Sequence, residues 1–297
     1  MKKQRHIIPI SGKDSLCTAL VQIKINPDLN YEFVFNPTGA ELPCVFDWLD
    51  KVELYLGKPI ARVGEDLLEI IEDYNYFLPS RRARYCTRKS KIEPFEKWIG
   101  KDDCIVYYGI RADEVRGGYD NAKYPNITPS YPLKEQGIGI SGVYEIINNV
   151  GLKPPSFFWQ SVYDEVCRII GGEHIVKTYF NEWQIDMMFS WRTRANCYFC
   201  FNQRKYEWVG LLEHEPELFW NAEKLENSES KHYWNGVDYP LTKIVEQSAS
   251  IKEKRIKSIV KILRSMQQQI IQFDKINKEQ IINDIFSTTS CGLFCGK

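Results

Sequence analysis

Ser11, Gly12, Lys13, Asp14 and Ser15 are the residues whose types and spacing most directly suggest chemistry. They follow a short apolar run, His6 to Ile10, and open a segment with helical spacing. A strand that feeds a small-residue turn at a helix N-terminus points backbone N–H groups outward, and the helix dipole favours negative charge there. Lys13 adds a mobile cation, and Ser11 and Ser15 add hydroxyl donors, so the stretch reads as an anion site. The competing reading is an ordinary strand-to-helix turn with a surface lysine. The spacing is not that of a Walker A loop.

Two further stretches belong with it. Asn36 to Glu41 and Gly109 to Arg116 each follow a predicted strand, and in open parallel sheets ligands sit outside the carboxyl ends of the strands. Arg111 and Arg116 suit phosphate, and Asp113 or Glu114 suits Mg2+. For any one of these charges the alternative is a surface salt bridge of little energetic weight.

The chain has nine cysteines, many for a reducing compartment, where they point to metal binding or sulfur chemistry before disulfides. Cys197 and Cys200 form a C-x-x-C pair that can bring two thiolates to one metal. A redox pair or a packed turn fits that spacing equally. Cys291 and Cys295 form a second pair in a glycine-containing tail, which a shared metal would tie down. Cys86 sits in a basic run, Arg81 to Lys91, which predicts an anionic-ligand wall with a thiolate of lowered pKa, or else a solvated basic loop.

The elements that must position these groups alternate. A strand to Ile10, a helix over 15–25, a strand over 31–35, a helix over 41–56, a strand over 58–63, a helix over 66–74 and a strand over 104–108 predict an α/β, doubly wound parallel sheet. Residues 119–131, rich in Pro, Asn, Asp and Tyr, read as a loop. A break near 153–156 divides the chain into an α/β domain at 1–150 and a mostly helical region at 151–297. The longest helical stretch is 241–273. Its Lys252, Lys254, Arg255, Lys257, Lys261 and Arg264 form either a solvated face or a phosphate-backbone contact surface. With 297 residues and 39 basic against 39 acidic side chains, the chain has no net charge that would by itself argue for nucleic acid. No run of eighteen apolar residues occurs and no signal-peptide core opens the chain. The expectation is therefore a protein with no membrane span and a cytoplasmic location.

Taken in order, these pieces resemble the phosphoadenosine phosphosulfate reductase-like branch of the PP-loop ATP pyrophosphatases. The resemblance rests on Ser11–Ser15, Thr38 to Pro43, Tyr85 to Lys89, Gly109 to Glu114, Tyr131 to Leu133, Cys197 with Cys200, and Pro216 to Phe219, and it spans nearly the whole chain. It implies an adenine nucleotide alpha hydrolase-like sheet with a helical C-terminal region. Ser11 to Ser15 would hold the pyrophosphate of ATP, with Asn36, Gly109, Arg111, Asp113 and Glu114 around the nucleotide and Mg2+. The usual family loop carries two glycines, and this one carries Gly12 alone.

Sulfonucleotide reductases of this branch typically lack the loop lysine, so Lys13 favours cleavage of ATP between its α- and β-phosphates. The cysteine arrangement is most similar to the ATP pyrophosphatase component of bacterial DNA phosphorothioation systems. That resemblance implies adenylation of a phosphate oxygen of DNA, a cysteine desulfurase as sulfur-donating partner, and catalytic roles for Lys13, Asp14, Cys86 and Arg111. The other readings are a tRNA thiolation enzyme, a sulfonucleotide reductase and a non-enzymatic nucleotide-binding adaptor. A homodimer is compatible with each. Cys197, Cys200, Cys291 and Cys295 would form a four-thiolate site for Zn2+ or a [4Fe-4S] cluster, leaving Cys86 to carry sulfur. Alternatively Cys86 is itself a cluster ligand, or the tail cysteines carry sulfur and no metal is bound.

Overall fold

A computed structural model describes residues 4–115, 117–119, 124–195, 197–226, 232–236 and 238–272, with side chains to 267. Its centre is a five-stranded, wholly parallel sheet. The strands are β1 (Arg5–Pro9), β2 (Tyr31–Phe35), β3 (Ile60–Arg62), β4 (Cys104–Tyr107) and β5 (Ile127–Ser130), in spatial order β3-β2-β1-β4-β5. The expected α/β doubly wound sheet is what the chain forms. β1 is central, pairing Ile8 with Phe33 on one side and Ile7 with Val106 on the other.

Alternation along each strand supplies both apolar faces. Ile8, Phe33, Phe35 and Tyr107 enter one core, whereas Ile7, Val34, Cys104 and Val106 enter the other. A sheet buried on both sides needs helices on both sides. The first core is covered by α1 (Lys13–Ile25), α2 (Pro43–Leu56), α3 (Leu67–Asp73) and residues of the C-terminal half. The second is covered by Phe95 and Ile99. Those two belong to a continuous helical segment: a turn α4 (Tyr85–Thr87), a π-helical turn over Arg88–Ile92, and α5 (Glu93–Ile99). The basic run is thus helical from Tyr85 onward, with residues 81–84 outside the helix. Arg88 and Lys89 pair with Glu93 at 2.8 and 3.0 Å, and the Ser90 hydroxyl donates to the Cys86 carbonyl.

Two other boundaries differ from expectation for visible reasons. The second helix starts at Pro43, not Glu41, because the Glu41 carboxylate folds back to accept from the Thr38 amide and hydroxyl. Pro43 then occupies the first helical turn, where its missing N–H costs nothing. The stretch 119–131 contains β5, an edge strand, where Pro129 is tolerated opposite Val106.

Beyond the sheet come α6 (Pro132–Glu135), α7 (Ile140–Val150), α8 (Gln160–Ile170), α9 (Glu173–Tyr179), α10 (Glu182–Met188), α11 (Lys205–His214), α12 (Pro216–Glu223), α13 (Leu241–Glu246) and α14 (Ser248–Gln272). The long helical stretch is broken at Gln247 into α13 and α14. The first core continues without interruption from Ile8 through Trp159, Trp208 and Leu263, so sheet and C-terminal helices share it. No helix among the described residues is long and apolar enough to cross a membrane.

Candidate functional site

The strand order fixes where a site can form. From β1 the chain winds one way to β2 and β3, and from β4 the other way to β5, so the direction reverses between β1 and β4. That switch point opens a crevice at the carboxyl ends of the strands. The turn after β1 is Ser11–Ser15 and the turn after β4 begins near Gly109. Both line one cleft, together with Tyr108, Tyr144, Phe157, Asp186, Arg192, Arg194, Arg204, Tyr206 and Arg255.

Close packing joins the two turns. A Cβ on Gly109 would lie 2.7 Å from the Asp14 carbonyl carbon and the Ser15 nitrogen, so only glycine lets β4 abut the start of α1. Gly12, by contrast, has nothing within 4 Å of where a Cβ would sit. Its Cα borders the cleft. Ser15 braces the loop from within: its Oγ accepts from the Ser11 and Gly12 amides at 2.9 and 3.1 Å and donates to the Gly12 carbonyl. The serine expected to offer a hydroxyl to an anion instead closes the turn. The anion-facing donors are then the first amides of α1, at Lys13, Asp14 and Ser15, which have no intrahelical acceptor.

The Lys13 ammonium lies 3.1 Å from Asp14 Oδ2, and the Arg111 guanidinium reaches the same oxygen at 3.2 Å. Burial alone would raise the Asp14 pKa. The adjacent Lys13 and Arg111 charges outweigh it and hold the carboxyl below its ordinary value. The other oxygen, Oδ1, is buried with no hydrogen-bond partner among the described residues. A buried carboxylate oxygen left over in a cationic cleft fits a hard cation such as Mg2+.

Arg111 is not a phosphate ligand in this arrangement. Its side chain is 1% exposed and meets Asp14, Asp113 (Nε to Oδ1, 2.8 Å) and Glu114 (2.8 Å). Asp113 Oδ2 accepts from the Ile140 amide at the start of α7. Asp113 and Glu114, expected near Mg2+, are thus turned to Arg111 and away from the cleft lining. Asn36 likewise lies outside that lining: it is buried and donates to the Val63 carbonyl, joining the ends of β2 and β3. Arg116 lies outside the described residues.

The C-x-x-C turn packs against the turn after β2. Tyr198 donates its amide to the Ala40 carbonyl at 2.7 Å, and Thr38 Oγ1 lies 3.1 Å from Cys197 Sγ. Arg192, 1% exposed, holds the turn from below by donating to the Cys197 carbonyl and to Gln203 Oε1. Burial pushes the Cys197 thiol up to about 12. Cys86 lies close enough to Cys200 for their charges to interact. Burial, then that neighbour, raises its pKa against a smaller opposing pull from Lys91. The shift is opposite to the lowered pKa expected for Cys86, because enclosure of the sulfur outweighs the pull of Lys91, while Arg88 and Lys89 pair with Glu93. Among the described residues no three His, Cys, Asp or Glu side chains come together as a metal-holding group. Cys291 and Cys295 lie outside the described residues.

Sequence reasoning missed the aromatic and arginine lining. Arg192, Arg194 and Arg204 flank the C-x-x-C pair, and that spacing was the available signal. Arg255, which belongs by sequence to the basic face of α14, turns inward onto the Tyr206 ring, 4.5 Å from guanidinium carbon to centroid.

No protein-family model matches the chain. A stretch of 168 residues, 55% of the chain, is 33% identical to an uncharacterized protein of Methanocaldococcus jannaschii. The match spans 31% of that protein, about a third of its length.

Proposed function

We propose that this chain is an ATP pyrophosphatase of the PP-loop kind that activates a nucleic-acid oxygen for sulfur insertion. The observation that carries the reading is Lys13 held against Asp14 Oδ2, with Asp14 Oδ1 left without a partner among the described residues, at the N-terminus of α1 in the switch-point cleft. The α1 amides and Lys13 bind the β- and γ-phosphates, where negative charge grows as the α–β bond breaks. Asp14 would hold Mg2+, which would supply charge neutralisation for the departing pyrophosphate. Arg111 acts through Asp14, holding its carboxylate ionised and aimed into the cleft.

The reaction begins with attack of an acceptor phosphate oxygen on the α-phosphorus of ATP, releasing pyrophosphate and leaving an adenylated acceptor. The outer sulfur of a persulfide supplied by a cysteine desulfurase then attacks the acceptor's phosphorus and displaces AMP. A thiol reductant attacks the carrier cysteine's sulfur, breaking the S–S bond so that the phosphorothioate is released and the carrier leaves as a disulfide with that thiol. DNA is the acceptor favoured by the resemblance of the cysteine pattern, with tRNA as the alternative. The test is to identify the products formed from ATP with a nucleic-acid acceptor. AMP and pyrophosphate, both lost with Lys13→Ala, support the proposal; ADP and phosphate refute it.

A further inference from the structure

Arg255 lies on α14, where Lys254, Lys257, Lys261 and Arg264 are exposed. Its own side chain points the other way. It donates to the Met188 carbonyl at 2.6 Å and stacks on Tyr206. Arg204 reaches the same tyrosine: NH1 donates to the phenolic oxygen at 3.2 Å, and the guanidinium carbon is 5.9 Å from the ring centroid. Arg194, Arg204, Tyr206 and Arg255 all line the cleft, and none of them belongs to the Ser11–Ser15 loop.

The partners of Arg255 are a carbonyl and a ring, neither carrying negative charge. No ion pair neutralises it among the described residues. Glu207 is the carboxylate whose charge reaches both Arg204 and Arg255. Its oxygens are engaged elsewhere, by the Thr193 amide and hydroxyl and by the Arg204 amide. Two guanidiniums held against one ring repel each other, and an incoming anion relieves that repulsion. A guanidinium already fixed by stacking loses little freedom when its remaining N–H edge meets a phosphate. Tyr108, Tyr144 and Phe157 line the same cleft, and arginines interleaved with aromatic rings suit a phosphate backbone with its bases.

We propose that Arg204, Arg255 and Tyr206 form a second phosphate subsite that grips the backbone of the acceptor nucleic acid while ATP occupies the Lys13 loop. The identity of the acceptor rests on the function proposed above; the anion subsite itself rests on the arginine geometry.

The experiment measures binding of a fluorescent single-stranded DNA oligonucleotide, an RNA of the same sequence, and ATP to the full chain and to Arg255→Gln. The expected result is a loss of about tenfold or more in oligonucleotide affinity, as for one charge-assisted hydrogen bond. The salt dependence of log affinity should fall by about one unit of slope. ATP affinity should change several-fold less, whereas Lys13→Ala should show the reverse order. Whichever of DNA and RNA shows the larger Arg255 dependence is the acceptor. Equal losses for ATP and oligonucleotide would assign Arg255 to the nucleotide and overturn the subsite, as would no loss for either oligonucleotide. Arg255-dependent oligonucleotide binding by a protein that binds no ATP would keep the subsite and overturn the ATP pyrophosphatase reading. Should Arg255→Gln fail to fold, Arg204→Gln makes the same test from an exposed position.

Discussion

Arg111 NH1 lies 3.2 Å from Asp14 Oδ2, a single ion pair that ties the turn after β4 to the loop after β1. Because Asp113 reaches on to the start of α7, one buried guanidinium sets the relative placement of three elements around the cleft.

Replacing Arg111 with Gln should therefore destabilise the fold by about 3–5 kcal/mol, the range for stranding buried partners of a lost charge. Arg111→Lys should recover only part of this, since an ammonium cannot span three carboxylates as a fork does. Thermal melting of both variants checks the order wild type, Lys, Gln.

The same pair has a pH signature. The Asp14 pKa is lowered in the folded chain by Lys13 and Arg111 against the effect of burial. Its stabilising contribution is present above the ordinary Asp value of about 4 and is lost as pH falls through the lower folded value. Acid unfolding of Asp14→Asn should show a weaker pH dependence than wild type in that range.

Gly12 and Gly109, both at the cleft, should separate stability from binding. Gly109→Ala places a methyl 2.7 Å from the backbone of Asp14 and Ser15 and should cost about 1–3 kcal/mol, with loss of nucleotide binding. Gly12→Ala meets no atom within 4 Å, so its melting temperature should barely move. Its methyl borders the cleft, so nucleotide affinity should still fall. Calorimetric melting and nucleotide titration of both variants check this.

Much of this frame was legible in the residues. Strands β1, β2 and β4 are apolar runs ending in Gly or Asn turns, and their alternation with helices gave the parallel sheet. The edge strand β5 was hidden because a short strand containing Pro129 looks like a loop until β4 is there to pair it. Charges after a strand resemble ligand groups. Only tertiary structure shows that Asp14, Asp113 and Glu114 converge on Arg111, leaving Asp14 at the cleft. For the same reason Arg255 reads as one more cation on a basic helix until Tyr206 is packed against it.

Glu226 should give a second, opposite pH effect. It accepts from the Trp234 and Leu241 amides at 3.0 and 2.7 Å, yet burial outweighs both and pushes its pKa up to about 7. A raised folded pKa means that its contribution is fully present below the unfolded value of about 4.3 and is lost as pH rises through about 7. Glu226→Gln should flatten that decline, as measured by melting at about pH 5 and about pH 8.

Cys86 and Cys197 should be poor nucleophiles at neutral pH, since alkylation follows the thiolate fraction. Iodoacetamide labelling resolved by mass spectrometry should modify both slowly at pH near neutrality and faster as pH rises, Cys197 lagging most. Labelling of Cys86 as fast as a free model thiol at neutral pH would contradict the burial-dominated environment described for it.

Lys13 and Asp14 are proposed to serve cleavage of ATP between its α- and β-phosphates. Adenylation is reversible before sulfur arrives, so radiolabelled pyrophosphate should exchange into ATP when a nucleic-acid acceptor is present and no sulfur donor is supplied. Exchange should depend on the acceptor and on Mg2+ and disappear with Lys13→Ala. Turnover of ATP to ADP and phosphate, with no label entering ATP, would contradict it.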